Sequence, residues 1–381
     1  MSDSIRVLQK VIVVAFLATI ALTLPAWFDA RPFPTAPVFE ATPLPCEASL
    51  ALLALLVGSL VMIFFRPHRS APAVVMAGAY AVFVLFDQSR LMPYLLQYVV
   101  MLVVLGWGSR GNQTRADVAW GMCQLILFSV YLWAGIQKFN VSFVLHGFPW
   151  FIEPFIGVIP EEHRVIPLLG GVLVPLIESG LALLLLSAKR RRVGVIGLTG
   201  MHLGILLCLG PLGHNWNHAV WPWNIVMIVS LWILFSRPFG IAAMRRYAPV
   251  SGLVALFYLI LPAFNLVGLW DDYLSHSLYS RRGARAVMKV HPEDVARLPR
   301  ELHSGFITRD DGRIELSFVN YSMLNLGLPV YPEERVFQEI GRELCRRYAL
   351  SNKTATVVYG KPDRRSGAVF TERDECESPA N

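Results

Sequence analysis

Charge is what this sequence has least of. Only 16% of its 381 residues are Asp, Glu, Lys or Arg, against roughly a quarter in a soluble globular domain. Together with 55% apolar residues and a mean hydropathy of +0.50, that scarcity excludes a chain that is soluble along its whole length. Other absences narrow the class further. No internal repeat of the transporter kind is visible, and the last 111 residues hold neither a Gly-rich phosphate loop nor metal-ligand spacing. No A-x-A cleavage site follows the first apolar run, so residues 1–28 read as an uncleaved span ending at Pro25-Ala26-Trp27-Phe28 and not as a signal peptide.

The charges that are present are unevenly placed. Residues 1–270 carry 17 basic and 10 acidic side chains, whereas residues 271–381 carry 17 of each. Two compositions imply two solvents: residues 1–270 form a transmembrane helical domain, and residues 271–381 a small soluble α+β domain. A helix needs about 20 mostly apolar residues to cross the hydrocarbon core. Nine stretches qualify, at about 8–28, 47–65, 71–87, 92–108, 118–136, 166–187, 193–213, 221–236 and 249–269. The fold class is therefore mainly α, a polytopic transmembrane bundle of about nine spans.

Basic residues stay on the cytoplasmic side of short loops. Nine spans with the N-terminus inside put thirteen Lys and Arg in the cytoplasm, among them Arg6, Lys10, Arg66, Arg69 and Lys189–Arg192. Only Arg31, Arg90, Lys138 and Arg164 fall outside. This orientation makes the chain an integral protein, of the cytoplasmic membrane if bacterial, with its C-terminal domain extracytoplasmic. The five cysteines fit the map. Cys123 and Cys208 sit within spans as small apolar residues. Cys345 and Cys376 share one domain in an oxidising space and are expected to pair as a disulfide, leaving Cys46 as the odd thiol.

Between the fifth and sixth spans, Val141 to Val158 is rich in Phe and Trp and broken by Pro149 and Pro154, which suits an amphipathic segment in the outer interface. In the tail, 286–290, 314–318 and 355–359 read as strands, and Pro332 to Tyr348 as a helix beginning at Glu333-Glu334, whose acids suit its positive end.

Polar side chains within spans are expensive in lipid, so they carry the functional signal. Lys138 closes the block Tyr131-Leu132-Trp133-Ala134-Gly135-Ile136-Gln137-Lys138; it is either a helix-end anchor that snorkels to the interface or a desolvated base. Gly135 permits close helix packing. Glu178 lies inside the sixth span and His202 midway along the seventh. Asp87 and Arg90 end the third span, as an interfacial ion pair or as part of a site. The run from His214 to Asn224, with Asn217, His218 and Trp223, is either an aromatic belt or the lining of a pocket for a planar, oxygen-bearing ligand. His214 and His218 are four apart, but no third metal ligand accompanies them, so no metal site is assigned. Topology brings these groups to the outer mouth of the bundle. Lys138, His202 and Glu178 are the candidate catalytic residues; Asp87, Arg90, Tyr131, Trp133, His214, Asn217, His218, Trp223 and Asn224 are the candidate ligand-binding residues.

The order of these blocks resembles the HTTM family, whose membrane domain is similar to that of vitamin K-dependent gamma-carboxylases. Phe86 to Leu91 followed by Tyr94 and Tyr98, Tyr131 to Phe139, and Met201-His202 with Val220 to Phe235 carry the likeness, across about residues 10–270. The resemblance implies that Lys138 belongs to a site where a quinol such as reduced vitamin K is deprotonated. The chain departs from the carboxylase pattern at Met92-Pro93, where a catalytic histidine would follow, and at Gly204-Ile205, where an Asn would stand. The large lumenal domain is also replaced. The expectation is therefore a quinone- or lipid-linked enzyme of oxidoreductase- or carboxylase-like type with a quinone or quinol-like ligand, and the departures weigh against glutamate carboxylation itself. The rival is a non-enzymatic membrane protein for maturation, export or protection of an extracytoplasmic protein or peptide, with the tail as binding module; a transporter comes third. Membrane lipids are expected partners and nucleic acid is not.

Overall fold

Long apolar runs set the architecture, because a helix satisfies its own backbone where no water can. The computed structural model describes residues 2–110, 112–157, 159–163 and 165–376; Arg164 and Val158 lie outside the described residues. It is mainly helical, with a small antiparallel sheet near the C-terminus. Among the described residues, five helical stretches are long and apolar enough to cross a membrane: Asp3–Leu22, Cys46–Phe65, Gln113–Gln137, Arg191–Leu209 and Ile241–Val267. Five more are apolar but shorter: Ala71–Phe86, Pro93–Ser109, Phe143–Ile156, Leu169–Leu185 and Val220–Leu234.

In chain order the helices are α1 (Ser2–Leu22), α2 (Cys46–Phe65), α3 (Ala71–Phe86), α4 (Pro93–Ser109), α5 (Gln113–Gln137), α6 (Phe148–Ile156), α7 (Val165–Leu185), α8 (Arg191–Leu209), α9 (Val220–Leu234) and α10 (Ile241–Val267). The chain condenses into two compact units. The first comprises residues 2–21, Leu55–Tyr80 and Pro93–Arg282. Its centre is α5, whose N-cap Asn112 accepts from the Arg115 amide at 3.2 Å. Small residues let the neighbours close in on it. A side chain at Gly135 would meet Ser179 Oγ at 2.2 Å and the Ser179 amide at 2.8 Å, and one at Gly121 would meet the Gly240 backbone at 3.0 Å. Close backbone approach of this kind replaces the hydrophobic drive that lipid cannot supply.

The first unit runs past residue 270. Tyr273, Ser275, His276, Ser277, Ser280 and Arg282 are all buried within it. Asn140 Nδ2 donates to the Ser280 carbonyl at 3.1 Å, pinning this segment to the end of α5. Three residues there, His276, Tyr279 and Arg281, hold left-handed φ of 58–59°, a conformation that costs non-glycine residues about 1 kcal/mol or more and persists where surroundings enforce it.

The second unit comprises Leu22–Ala54, Ala81–Met92 and residues 283–376. Its sheet is antiparallel throughout, in the order β2 (Phe306–Thr308), β3 (Ile314–Ser317), β1 (Arg285–Val290), β4 (Ala355–Tyr359), β5 (Thr371–Glu375). The helix α12 (Glu334–Arg347) turns Val336, Phe337, Ile340 and Leu344 inward at helical spacing. Its Gly341 leaves room for Thr356, whose Oγ1 would lie 2.3 Å from an added Cβ. The preceding α11 (Phe318–Asn325) is capped by Ser317, whose side chain accepts from the Asn320 amide. Residue 318 therefore opens a helix and does not end a strand. Phe33, from the Pro-rich loop, stacks on Tyr321 with centroids 4.9 Å apart, and Tyr348 donates to the Pro32 carbonyl at 2.9 Å.

Cys345 and Cys376 are joined in a disulfide, while Cys46, Cys123 and Cys208 are free. The bridge closes a loop spanning 31 residues in sequence, so it should stabilise this unit by about 3 kcal/mol through the entropy it removes from the unfolded chain. The double variant Cys345→Ser/Cys376→Ser is expected to unfold its sheet at correspondingly lower denaturant. Alkylation of unreduced wild-type protein should leave both residues unmodified; two free thiols would refute the pairing.

Candidate functional site

Within the first unit, one cavity of about 260 Å³ brings the intramembrane polar residues together. Most of its wall is apolar, from Phe143, Phe148, Phe151, Ile152, Val174 and Ile205. Two polar devices interrupt that wall, the first of them built by two helices that Gly135 allows to touch.

The first is Lys138 with Glu178. Lys138 caps the C-terminus of α5, where the carbonyl end of the helix favours a cation. Its Nζ donates to Glu178 Oε2 at 2.7 Å and to the Ala134 carbonyl at 3.1 Å. The side chains are 13% and 5% exposed. A snorkelling lysine would extend its ammonium to water; this one turns back to a carboxylate on α7.

The second device is a three-residue chain. Asn224 Nδ2 donates to the Val220 carbonyl at 2.8 Å, which turns Oδ1 toward His202 Nδ1, 2.7 Å away. An amide oxygen only accepts, so Nδ1 carries the imidazole proton and Nε2 is the acceptor. The Tyr131 hydroxyl, 2.8 Å from Nε2, is then the donor. One hydrogen-bond direction fixes the rest: Asn224 sets the tautomer, and the tautomer orients Tyr131. Trp223 packs edge-on to His202 at 6.2 Å and donates to Gln97 Oε1 at 3.0 Å.

Lys138, Glu178, Tyr131, His202, Trp223 and Asn224 thus border one space. The other expected site residues are placed elsewhere. Asn217 is one bond removed, donating to the hydroxyl of Tyr279 at 2.7 Å. His214 stacks on Trp150 at 4.3 Å and donates Nε2–H to its carbonyl. His218 is exposed and donates to Asn215 Oδ1. The two histidines turn to different partners, as befits residues in an irregular loop and not successive turns of a helix. Trp133 does not border the cavity; its Nε1 donates to the Leu259 carbonyl of α10 at 3.0 Å. Asp87 and Arg90 belong to the second unit, where each attracts the other and each has a further partner. Asp87 forms an ion pair with Arg31, and Arg90 with Asp29, all four side chains buried.

Sequence reasoning missed His276 and Tyr279, which border the cavity from the segment after α10. Falling beyond residue 270, they read as tail; their signal was the run Trp270, Tyr273, His276, Tyr279, aromatic and polar at once like a helix end at a membrane interface. His276 stacks on Tyr258 at 5.4 Å with rings 17° apart. Its Nε2 is buried and finds no hydrogen-bond partner among the described residues. Burial holds the imidazole down at about 3, so it is neutral near physiological pH.

An orphaned buried nitrogen costs about 1–3 kcal/mol, a cost that a bound ligand oxygen would remove. His276→Phe keeps the stack on Tyr258 and deletes the orphan. Its thermal midpoint in detergent is expected to equal or exceed wild type; a clear drop would show that His276 serves packing instead.

The chain matches no known protein-family profile, no curated protein and no solved structure.

Proposed function

We propose that this chain is an integral membrane protein of the HTTM type that binds a quinol- or lipid-like ligand in the cavity around Lys138 and moves a proton on it. The observation that carries this reading is the pairing of two preset polar devices, Lys138–Glu178 and Tyr131–His202–Asn224, across a mostly apolar wall. A ligand with an apolar body and hydroxyl oxygens suits such a wall. Its hydroxyl proton passes to the Glu178 carboxylate, and the Lys138 ammonium stabilises the oxyanion that results. Tyr131 and His276 are the groups for a second oxygen.

Nine crossings, with the N-terminus inside, remain the topology we assign. The make-up of the second unit supports it. The loop after α1, the loop after α3 and the tail condense together, which favours an odd number of crossings before residue 283. Nine satisfies that parity, whereas eight and ten do not. The fragment Phe143–Ile156 is the apolar piece that does not cross.

The test is ligand capture. Protein purified in mild detergent is expected to retain a quinone or related isoprenoid identifiable by mass spectrometry. Menadione added to stripped protein should quench its tryptophan fluorescence saturably, since Trp223 borders the cavity. Gly204 also borders it, and a side chain there would meet no heavy atom within 4 Å. Gly204→Phe should therefore fold and lose the saturable quench by about tenfold or more, roughly 1.4 kcal/mol. Equal quenching in both proteins would sink the assignment.

A further inference from the structure

A second concavity, of about 560 Å³, lies at the other end of the helices of the first unit. The start of α1, the end of α2 and its following loop, the end of α4 and the start of α5 build it. Its charged lining is of one sign. Arg6 and Lys10 stand one helical turn apart on α1, and His68 joins them from the α2–α3 loop. Gln9 Nε2 donates to the Pro67 carbonyl at 3.1 Å, holding that loop against α1. Asn112 and Gln113 add the N-terminus of a 25-residue helix, whose positive dipole end favours an anion. The nearby carboxylates lie outside the lining: Asp3 pairs with Arg6 at 3.4 Å, and Asp117 accepts from Gln113 at 3.1 Å.

One side of the same groove is apolar. Ile5, Phe65 and Pro67 line it. From there α1 and α2 expose Val7, Val14, Leu55 and Met62 along their lengths. A free phosphate ion has no use for such a surface. A phospholipid does, since its phosphate meets the cations while its acyl chains follow the helix faces.

We infer that this groove is a binding site for the phosphate headgroup of an anionic membrane phospholipid. The site is distinct from the cavity at Lys138 and does not depend on what that cavity binds.

Native mass spectrometry of full-length protein, stripped in detergent and titrated with phosphatidylglycerol or phosphatidylcholine, tests it. Wild type should bind phosphatidylglycerol about tenfold more tightly, given what each basic side chain contributes near an anionic headgroup. Arg6→Gln/Lys10→Gln should abolish that preference, while Lys189→Gln/Arg190→Gln, which alters basic residues outside the groove, should keep it. The single variants Arg6→Gln and Lys10→Gln should each lose part of the preference, and they keep the test readable if the double variant does not fold. Equal affinity for the two lipids, or full preference in the double variant, overturns the proposal. So does displacement of phosphatidylglycerol by equimolar inorganic phosphate, which would make this a site for the free anion.

Discussion

Lys138→Arg should reduce the activity of this protein about a hundredfold or more while the variant accumulates and folds normally. The assay is complementation of whatever phenotype deletion of the gene produces, so the substrate need not be known. Arginine keeps the positive charge and snorkels as well as lysine, so a residue that merely anchors α5 would tolerate it. An ammonium that must sit 2.7 Å from Glu178 Oε2 and also face a ligand oxygen would not, because the planar guanidinium places its donors differently, and small misplacements at a reacting centre cost that much. Stability separates a site from a structural pair. Glu178→Gln leaves a buried ammonium without its partner and should destabilise by about 3 kcal/mol. Replacing both, as Lys138→Met/Glu178→Leu, removes the uncompensated charge and should recover most of that stability. Activity should stay lost in the double variant. Recovery of both would mean the pair only holds α5 to α7, and full complementation by Lys138→Arg would leave the anchor reading standing.

That experiment turns on a pairing the sequence did not announce. Lys138 and Glu178 were each visible as costly residues in apolar surroundings, but they lie 40 residues apart, and no local periodicity couples them. Their meeting depends on Gly135 opposite Ser179, a contact between helices. The chain from Asn224 through His202 to Tyr131 was legible only as three separate polar residues, for the same reason. Where chemistry is local, reading was better. Residues 355–359 form β4 at their expected bounds, and the two tail cysteines form their bond. Strand β5, Thr-Glu-Arg-Asp-Glu, was illegible because it buries nothing on either face and joins through its backbone ladder with β4. Asp87 and Arg90 look like an ion pair of neighbours, but each also pairs with a residue after α1, Asp87 with Arg31 and Arg90 with Asp29. Loop-to-helix pairing of that kind leaves no periodic trace.

Labelling with a thiol reagent that cannot cross the membrane should modify the native Cys46 of intact cells and, once Cys46 is replaced by Ser, a cysteine placed at Ser304 but none placed at Ser187. Each position follows from a physical argument. Ser187 stands two residues before the basic run Lys189–Arg192, and such runs are retained in the cytoplasm. Ser304 is exposed on the second unit, which also contains Cys46 in its 22–54 segment; Cys46 is itself exposed. The 22–54 segment and residues 283–376 condense in one unit, so Cys46 and Ser304 are expected to label together or not at all. The disulfide between Cys345 and Cys376 gives the sign, because such bonds persist in oxidising spaces and not in the cytosol. The contrast should be all or none, with Ser187→Cys reacting only after the cells are permeabilised. Labelling at Ser187 and not at Ser304 would invert the chain, put the mouth near Lys138 toward the cytoplasm and move the basic groove of Arg6 and Lys10 to the outer face. Labelling of both, or of Cys46 without Ser304, would break the odd parity and with it the nine-span assignment.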